Sequence, residues 1–567
     1  MPTIQVKMKD LETLLGRPIT RSELTDRLPL VKGEIKEHDE STGELKLELN
    51  DTNRPDLWCV EGIARQIRTH RLRKAVPYPF YKGKRKAAAV IEVAPSLKAI
   101  RPHIGACVAR GLSIDEETLV QLIQTQEKLS ESFGRKRQLV SIGLYRLAEI
   151  GFPVFYKTVE PDGVRFVPLG FDLPMTPAEI LKKHPKGLAY AGILSGTTAY
   201  PLLVDRENKV LSFPPIINSR AVGEVRAGDR DLFVEATGTD HRMVMLAVNI
   251  LAANLADRGA EIDPVEVRYP YATDLGRRIA MPSVLSRPMS VELDQFSSAL
   301  GQTVTIPNAM SVLKAYGYDV KVRGRRLTVS VPAYRDDLLH PVDVVEDFAI
   351  SRGYESFEPE MPSEFTVGGL SAIEQFSDRA RESMIGMGFQ EVISNILTNQ
   401  EESVDRMNLS GRKVGLVSVE NVMSQTYSAL RNGIIPSLLR VEAASSKSFY
   451  PHRIFEAGET AVVDAKAPEG TQTLLKLAAL IAHPAANFSE LHSFLDLLMY
   501  YLGASYRLEP VSHPSFIEGR VGKIVIEGRD LGLIGELHPQ VLENWQIAMP
   551  GTVFELALDA LAESLQK

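Results

Sequence analysis

Val331-Pro332-Ala333-Tyr334-Arg335-Asp336-Asp337 runs through His340-Pro341 into Val342-Asp343-Val344-Val345-Glu346-Asp347-Phe348-Ala349-Ile350 and stops at Arg352-Gly353-Tyr354. Pro341 suits the first turn of a helix and Gly353 suits its end. Asp343, Glu346 and Asp347 are spaced i, i+3, i+4, so on that helix they share one face. One reading is an acidic first turn that complements the helix dipole, and Asp343 alone satisfies it. The other adds Asp337 and treats Asp337, Asp343, Glu346 and Asp347 as oxygen ligands. Like charges that close repel unless a cation lies among them, and an oxygen-only set suits Mg²⁺.

The flanking chain supplies the fold around this stretch. Asn308 is expected to cap a helix that ends at Gly317. Tyr318 to Val322 and Arg326 to Val331 are expected to pair as a hairpin around Gly324. Helix, hairpin and helix predict a winged-helix-like module over residues 271–361. Residues 1–86 read as a small α/β unit, with a helix from Thr20 to Leu28, a strand over Leu45 to Leu49 and a helix from Val60 to Arg73. Residues 87–270 read as a larger α/β unit with strands at 88–93, 140–145, 164–166, 210–213 and 231–236, and an apolar helix at 243–256. Thr237-Gly238-Thr239-Asp240 forms the turn before that helix, with Thr239 or Asp240 as its cap. Residues 362–567 read as one α/β domain, opened by the capping box Ser371/Glu374 and carrying strands at 475–482, 522–526 and 553–558. The predicted fold class is α+β multidomain.

Bulk properties narrow the chemistry. A chain of 567 residues, 44% hydrophobic and 24% charged, has the composition of an ordinary soluble protein with roughly three to five domains. No apolar run reaches the ~20 residues of a membrane span, and Met1 to Val6 does not read as a secretory signal. Cytoplasmic location is the default expectation. Cys59 and Cys107 are the only cysteines, which excludes a disulfide framework and a CxxC zinc site. The net charge of −7 attracts no nucleic acid globally. Locally, Arg65, Arg68, Arg71, Arg73, Lys74, Lys82, Lys84, Arg85 and Lys86 form an uninterrupted basic stretch beside Tyr78, Phe80 and Tyr81. It reads either as a solvated face or as a contact to an RNA backbone with stacking aromatics. The chain holds no GxxxxGK[ST], HExxH, GxSxG or GxGxxG motif. Its five His-Pro pairs, at 184, 340, 483, 513 and 538, read as turn entries.

Four stretches in order carry a family resemblance. They are Leu49-Asn50-Asp51-Thr52-Asn53-Arg54-Pro55-Asp56-Leu57-Trp58 with Glu61-Gly62-Ile63-Ala64-Arg65, the acidic stretch above, Arg453-Ile454-Phe455-Glu456-Ala457-Gly458-Glu459, and Gly532-Leu533-Ile534-Gly535-Glu536-Leu537-His538-Pro539. Together they resemble the β subunit of phenylalanyl-tRNA synthetases of archaeal/eukaryotic type. The resemblance implies an N-terminal α/β domain, an editing domain over 87–270, the winged-helix-like metal-site domain and a catalytic-like class II synthetase domain built on an antiparallel sheet. It implies an α2β2 heterotetramer, with the smaller α subunit activating phenylalanine with ATP and charging tRNA(Phe). It implies Mg²⁺ shared with the α subunit at Asp337, Asp343, Glu346 and Asp347.

It also implies a hydrolytic site for mischarged tyrosyl-tRNA, because a hydrophobic pocket rejects an added hydroxyl by only ~10²-fold. The implied editing residues are Leu203, Ser212, Glu235 and Thr237. Leu203 would shape the ring pocket and Glu235 would accept from the tyrosine hydroxyl. Ser212 and Thr237 would orient the water or the terminal ribose. Arg453 and Glu456 echo the pair that grips ATP in class II synthetases, yet no glycine-rich segment ending in an arginine follows. The last domain therefore reads as a scaffold, and the pair as a structural ion pair. Two rival readings stay open: a stand-alone Mg²⁺-dependent hydrolase or phosphoryl-transfer enzyme, and an RNA-binding paralogue without synthetase activity.

Overall fold

Leu45, Leu47 and Leu49 alternate with Lys46 and Glu48, and this period of two builds the strand that organises the N-terminus. The computed structural model describes residues 2–50, 53–82 and 85–565. Contacts divide the chain into two units, Met1–Glu360 and Met361–Lys567, in a mixed α+β arrangement with several sheets. Asp51, Thr52 and Lys84 of the stretches above lie outside the described residues.

The first unit opens with β1 (Thr3–Lys7), β2 (Gly33–Asp39) and β3 (Glu44–Leu49) in the order β1-β3-β2. Helices Met8–Leu15, Arg21–Arg27 and Val60–Leu72 accompany them. A ten-stranded mixed sheet follows: β4 (Ala89–Val93), β5 (His103–Arg110), β6 (Val140–Arg146), β7 (Val154–Val159), β8 (Tyr200–Val204), β9 (Val210–Phe213), β10 (Ile217–Asn218), β11 (Leu232–Gly238), β12 (Glu261–Arg268) and β13 (Arg278–Met281). Its order is β10-β9-β8-β7-β4-β12-β5-β11-β6, with β13 on β12.

Strand β12 joins two halves of this sheet. Its residues Glu261–Pro264 pair with β5, whereas Val265–Arg268 pair with β4 and β13. The sheet then curls until its two end strands approach each other. Asn218 on β10 reaches the Leu144 carbonyl and the Tyr145 hydroxyl of β6, each at 3.5 Å. Helix His241–Asp257 is apolar nearly all round and lies against β5 and β11, as a fully buried helix must. One apolar core includes Ile4 and Leu47 of the N-terminal segment as well as Ile91 and Val234 of the ten-stranded sheet.

Two readings shift here. Val164 to Phe166 forms no strand; only Phe166 bridges to Met175, and Pro168 and Pro174 lie in the loop between them. Proline removes the ladder donors that a strand would need. The strand expected to end at Ala236 continues through Thr237 and Gly238, and Asp240 caps the next helix by accepting from the Met243 N–H at 2.9 Å.

The acidic stretch belongs to a third sheet of the same unit. Strands β14 (Met289–Glu292), β15 (Asp319–Arg323) and β16 (Arg326–Ser330) run in the order β14-β16-β15. Helices Leu293–Leu300, Ile306–Ala315 and Pro341–Arg352 close a core containing Phe296, Leu313, Leu327 and Phe348. Thr305 rather than Asn308 caps the middle helix, because Pro307 occupies its first turn.

In the second unit, β17 (Gln390–Glu391), β18 (Leu397–Thr398), β19 (Val417–Ser418), β20 (Ala429–Leu430), β21 (His452–Val463), β22 (Thr471–Ala482), β23 (Arg507–Pro510), β24 (Phe516–Ile526), β25 (Arg529–Leu537) and β26 (Gly551–Ala557) make two sheets. The larger runs β17-β21-β22-β26-β25-β24-β23 and is antiparallel except for β17 on β21. Leu477, Ala479 and Ile481 of β22 enter one core, and Ala478, Leu480 and Ala482 enter the other. A continuous apolar run is what a strand covered on both faces requires. Between residues 390 and 397, where the apolar sequence favours strand, only Gln390–Glu391 and Leu397 are strand. Among the described residues no helix is long and apolar enough to cross a membrane.

Candidate functional site

The curl of the ten-stranded sheet leaves a cavity of about 220 Å³ between its end strands. Ser141, Ile142 and Leu144 of β6, Glu235 of β11, Ser212 and Phe213 of β9 and Asn218 of β10 are among the residues that line it. Two of the four expected hydrolytic-site residues, Ser212 and Glu235, thus line one half-open cavity, although they are distant in strand order.

Glu235 is buried, and its two oxygens differ. Oε1 accepts the Tyr145 hydroxyl at 2.8 Å. Oε2 is buried with no hydrogen-bond partner. Burial pushes the carboxyl up to about 7, against the opposing effects of the Tyr145 hydrogen bond and the Arg101 charge. Ser212 Oγ acts on the Tyr145 hydroxyl, yet it makes no hydrogen bond of adequate geometry. A buried acceptor left without a donor costs roughly 1–3 kcal/mol, so two such atoms on one cavity wall point to a polar guest.

Thr237 lies two residues beyond Glu235 on the same face of β11. Its hydroxyl meets Arg101 Nε at 3.1 Å and the Ser141 hydroxyl at 3.0 Å. Arg101 also donates to the Thr237 carbonyl at 2.7 Å. Burial lowers this guanidinium to about 10. Leu203 is the ladder partner of Ser212 and is fully buried in the core of the sheet. The structure therefore puts Ser212 and Glu235 on the cavity wall, Thr237 beside Ser141, and Leu203 in the sheet next to Ser212.

The four carboxylates of the acidic stretch have separate partners. Arg335 donates to Asp337 at 3.0 and 2.5 Å and to Asp347 at 2.6 Å. Tyr318 donates to Asp347 at 2.5 Å. For Asp337, burial is the largest single effect and works upward, but Arg335 and Arg54 together hold the carboxyl below its usual range. For Asp347, burial prevails and raises it. Asp343 accepts from the Leu339 and His340 N–H groups at 2.7 Å each and so caps its own helix. Glu346 pairs with Lys32 at 2.7 Å. The donor chemistry suits Mg²⁺, but among the described residues no three carboxylate, histidine or cysteine groups converge as a cage.

The basic stretch is internal only at its start: Arg65 is buried and Arg68 half-buried, whereas Arg71, Arg73, Lys74, Lys82, Arg85 and Lys86 are exposed. Arg65 donates to Asp257 Oδ2 at 2.7 Å and to Asn254, and Arg68 reaches Asp257 Oδ1 at 2.8 Å. The Tyr78 hydroxyl meets the same carboxylate at 2.8 Å, and the Tyr81 hydroxyl meets the Asn249 carbonyl at 2.6 Å. Arg65 is 1% exposed, which removes it from any RNA contact. Arg54 and Asp56 likewise form a buried bidentate pair at 2.8 Å.

Each of the five His-Pro histidines accepts the N–H two residues on through Nδ1, at 3.1–3.3 Å. Arg453 and Glu456 do not pair with each other. Three apart on a strand, they point to opposite faces. Glu456 takes Arg431 at 2.7 Å and Ser394 at 2.6 Å, and Arg453 takes Glu490 at 3.2 Å.

Sequence reasoning missed Tyr145, Gly143 and Arg101. Gly143 and Tyr145 share a strand face by their spacing of two, but their position opposite Glu235 depends on strand pairing across 90 residues.

Comparison with known proteins follows the same architecture. Residues 289–354 match the family model described as tRNA synthetase B5 domain, and residues 358–558 match phenylalanyl tRNA synthetase beta chain CLM domain. The phenylalanine–tRNA ligase beta subunit of Thermococcus kodakarensis is 41% identical over 99% of both chains. That of Borrelia hermsii is 39% identical over 99% of this chain and 100% of its own. An N-terminal fragment of the phenylalanyl-tRNA synthetase beta subunit from Pyrococcus horikoshii superposes with a TM-score of 0.59 at 37% identity, covering 62% of this chain and 100% of the fragment. With identity at this level along nearly the whole length, the chain belongs to the phenylalanine–tRNA ligase beta subunit family.

Proposed function

We propose that this chain is the β subunit of a cytoplasmic two-chain phenylalanine–tRNA ligase, assembled as α2β2. The α subunit would attach phenylalanine to tRNA(Phe) with ATP. The observation that carries the reading is 39–41% identity, from end to end, to proteins of that name. Arg453 and Glu456 support a scaffold role for the second unit, since Glu456 is neutralised by buried Arg431 and the half-buried Arg453 is paired with Glu490.

The cavity between β6 and β9 is assigned to hydrolysis of tyrosyl-tRNA(Phe). A tyrosine side chain entering it would donate its phenol O–H to Glu235 Oε2, the buried oxygen without a partner. Phenylalanine offers no such donor and would leave that acceptor unpaired, which supplies the discrimination. Ser212 and Thr237 would orient the attacking water or the terminal ribose, and Leu203 would back the ring pocket. Water adds to the ester carbonyl, and the bond to the ribose oxygen breaks, releasing tyrosine and tRNA.

Mg²⁺ belongs to this reading as a structural ion shared with the α subunit at Asp337, Asp343, Glu346 and Asp347. The oxygen-only donor set supports it. Binding would draw Asp343 and Glu346 away from the cap and from Lys32. The test of the whole reading is phenylalanylation of tRNA by this chain alone and together with the α chain of the same genome. Activity only in the mixture is expected. Activity of this chain alone would refute the scaffold role, and RNA binding with no activity in the mixture would favour the RNA-binding paralogue.

A further inference from the structure

Tyr145 is a buried side chain that the editing reading leaves without a task. Its ring lies on β6 against Phe233, with centroids 5.9 Å apart. Its hydroxyl bends back along the strand to Glu235 Oε1 at 2.8 Å. Gly143 stands two residues earlier, directly opposite Glu235 in the β6–β11 ladder. A Cβ at position 143 would lie 2.1 Å from the Tyr145 hydroxyl and 2.6 Å from Glu235 Oε1. The phenol therefore crosses over a bare backbone to reach the carboxylate, and any side chain at 143 would block it.

We propose that Tyr145 is a positioning residue for the discrimination of tyrosyl from phenylalanyl esters: its hydroxyl, admitted by Gly143, engages Glu235 Oε1 so that Oε2 alone faces the cavity as acceptor. The proposal rests on the editing assignment of that cavity. A carboxylate with two uncommitted oxygens can turn and accept from water or from a ribose hydroxyl. Committing one oxygen leaves a single acceptor direction, which only a phenol of the right reach can use.

Tyr145 also sustains the charge on that acceptor. The hydrogen bond favours the ionised carboxyl against burial, and a bond to an ionised acceptor is about twice as strong as a neutral one. The other groups acting on Glu235 are Arg101, ahead of β5, and Tyr156 of β7. Glu127, Arg137, Lys186 and Glu224 stand around the cavity. None of these hydrogen-bonds to Glu235 among the described residues, so loss of the Tyr145 hydroxyl is not made good by a neighbour.

The experiment uses the assembled α–β complex and tyrosyl-tRNA(Phe), with clearance followed over roughly pH 6 to 9. Tyr145→Phe keeps the ring and removes only the hydroxyl. Slower clearance at neutral pH is expected, with the rising limb of the profile moved to higher pH and activity regained there. Gly143→Ala displaces the same hydrogen bond with Tyr145 intact and should move the profile in the same direction. A rate and profile unchanged in Tyr145→Phe, while Glu235→Gln abolishes clearance, would overturn the proposal and leave the editing site in place. Normal clearance by Glu235→Gln would overturn the editing assignment itself.

Discussion

Arg65 Nε donates to Asp257 Oδ2 at 2.7 Å, with the two side chains 1% and 4% exposed. The bond joins helix Val60–Leu72 to the end of helix His241–Asp257, 192 residues away. Arg68 and Tyr78 close on the other oxygen of the same carboxylate. Around it, Arg258 pairs with Asp10 and Glu61. Arg65 and Arg68 thus help fasten the N-terminal segment to the ten-stranded sheet.

Arg65→Ala should therefore act on stability. Removing one partner of a buried pair costs about 3–5 kcal/mol where the other charge is left uncompensated; Arg68 and Tyr78 stay on Asp257, so the loss should fall at the lower end of that range. Urea unfolding would show the midpoint drop. At temperatures where the variant stays folded, the salt dependence of tRNA binding by the complex should match the wild type. A flattened slope would return Arg65 to the RNA interface.

Glu235 makes stability depend on pH with a defined sign. Its carboxyl lies near 7 in the folded chain, above its ordinary value. The folded state therefore favours the protonated form, and that advantage, complete below about pH 4.5, is lost as pH rises through about 7. Glu235→Gln carries no charge and should flatten the profile. Relative to wild type it should gain up to about 3 kcal/mol between pH 5 and pH 8. Parallel wild-type and variant curves across that range would contradict the burial of an ionisable carboxyl there.

The assignment of Mg²⁺ is tested by Asp343→Ala combined with Glu346→Ala in the complex. Loss of the Asp343 cap alone should cost about 0.5–2 kcal/mol in melting experiments. Metal content per complex, read by elemental analysis, should fall as well, together with weaker assembly with the α chain. Full metal stoichiometry and normal assembly would remove the site.

Arg453→Met tests the expectation that Arg453 takes no part in ATP binding. Arg453 pairs with Glu490 and lies over Phe494, 5.0 Å from the ring centroid. The variant complex should keep the wild-type KM for ATP in phenylalanylation. A raised KM for ATP would place nucleotide against this strand after all.

Local pattern carried much of the architecture. The alternation at Leu45 to Leu49, the Ser371 cap, the hairpin around Gly324 and the unbroken apolar run of β22 each prescribe an element through sterics or side-chain period, and each element is present. The His-Pro pairs were legible for the same reason, since Nδ1 reaches an N–H only two residues on. Where a boundary moved, as at Asn308 or Gly238, the deciding atoms were still local.

Partnership was another matter. The sequence by itself determined most element types, though not at 164–166 or 390–397, together with the acidic spacing and the family. Only the tertiary structure decided that Arg335 lies between Asp337 and Asp347, that Arg65 is spent on Asp257, and that Ser212 and Glu235 share one cavity. The physical reason is that charge compensation and enclosure depend on which strands and helices become neighbours. That choice is made by burying apolar surface across the whole sheet, and no local spacing along the chain encodes it.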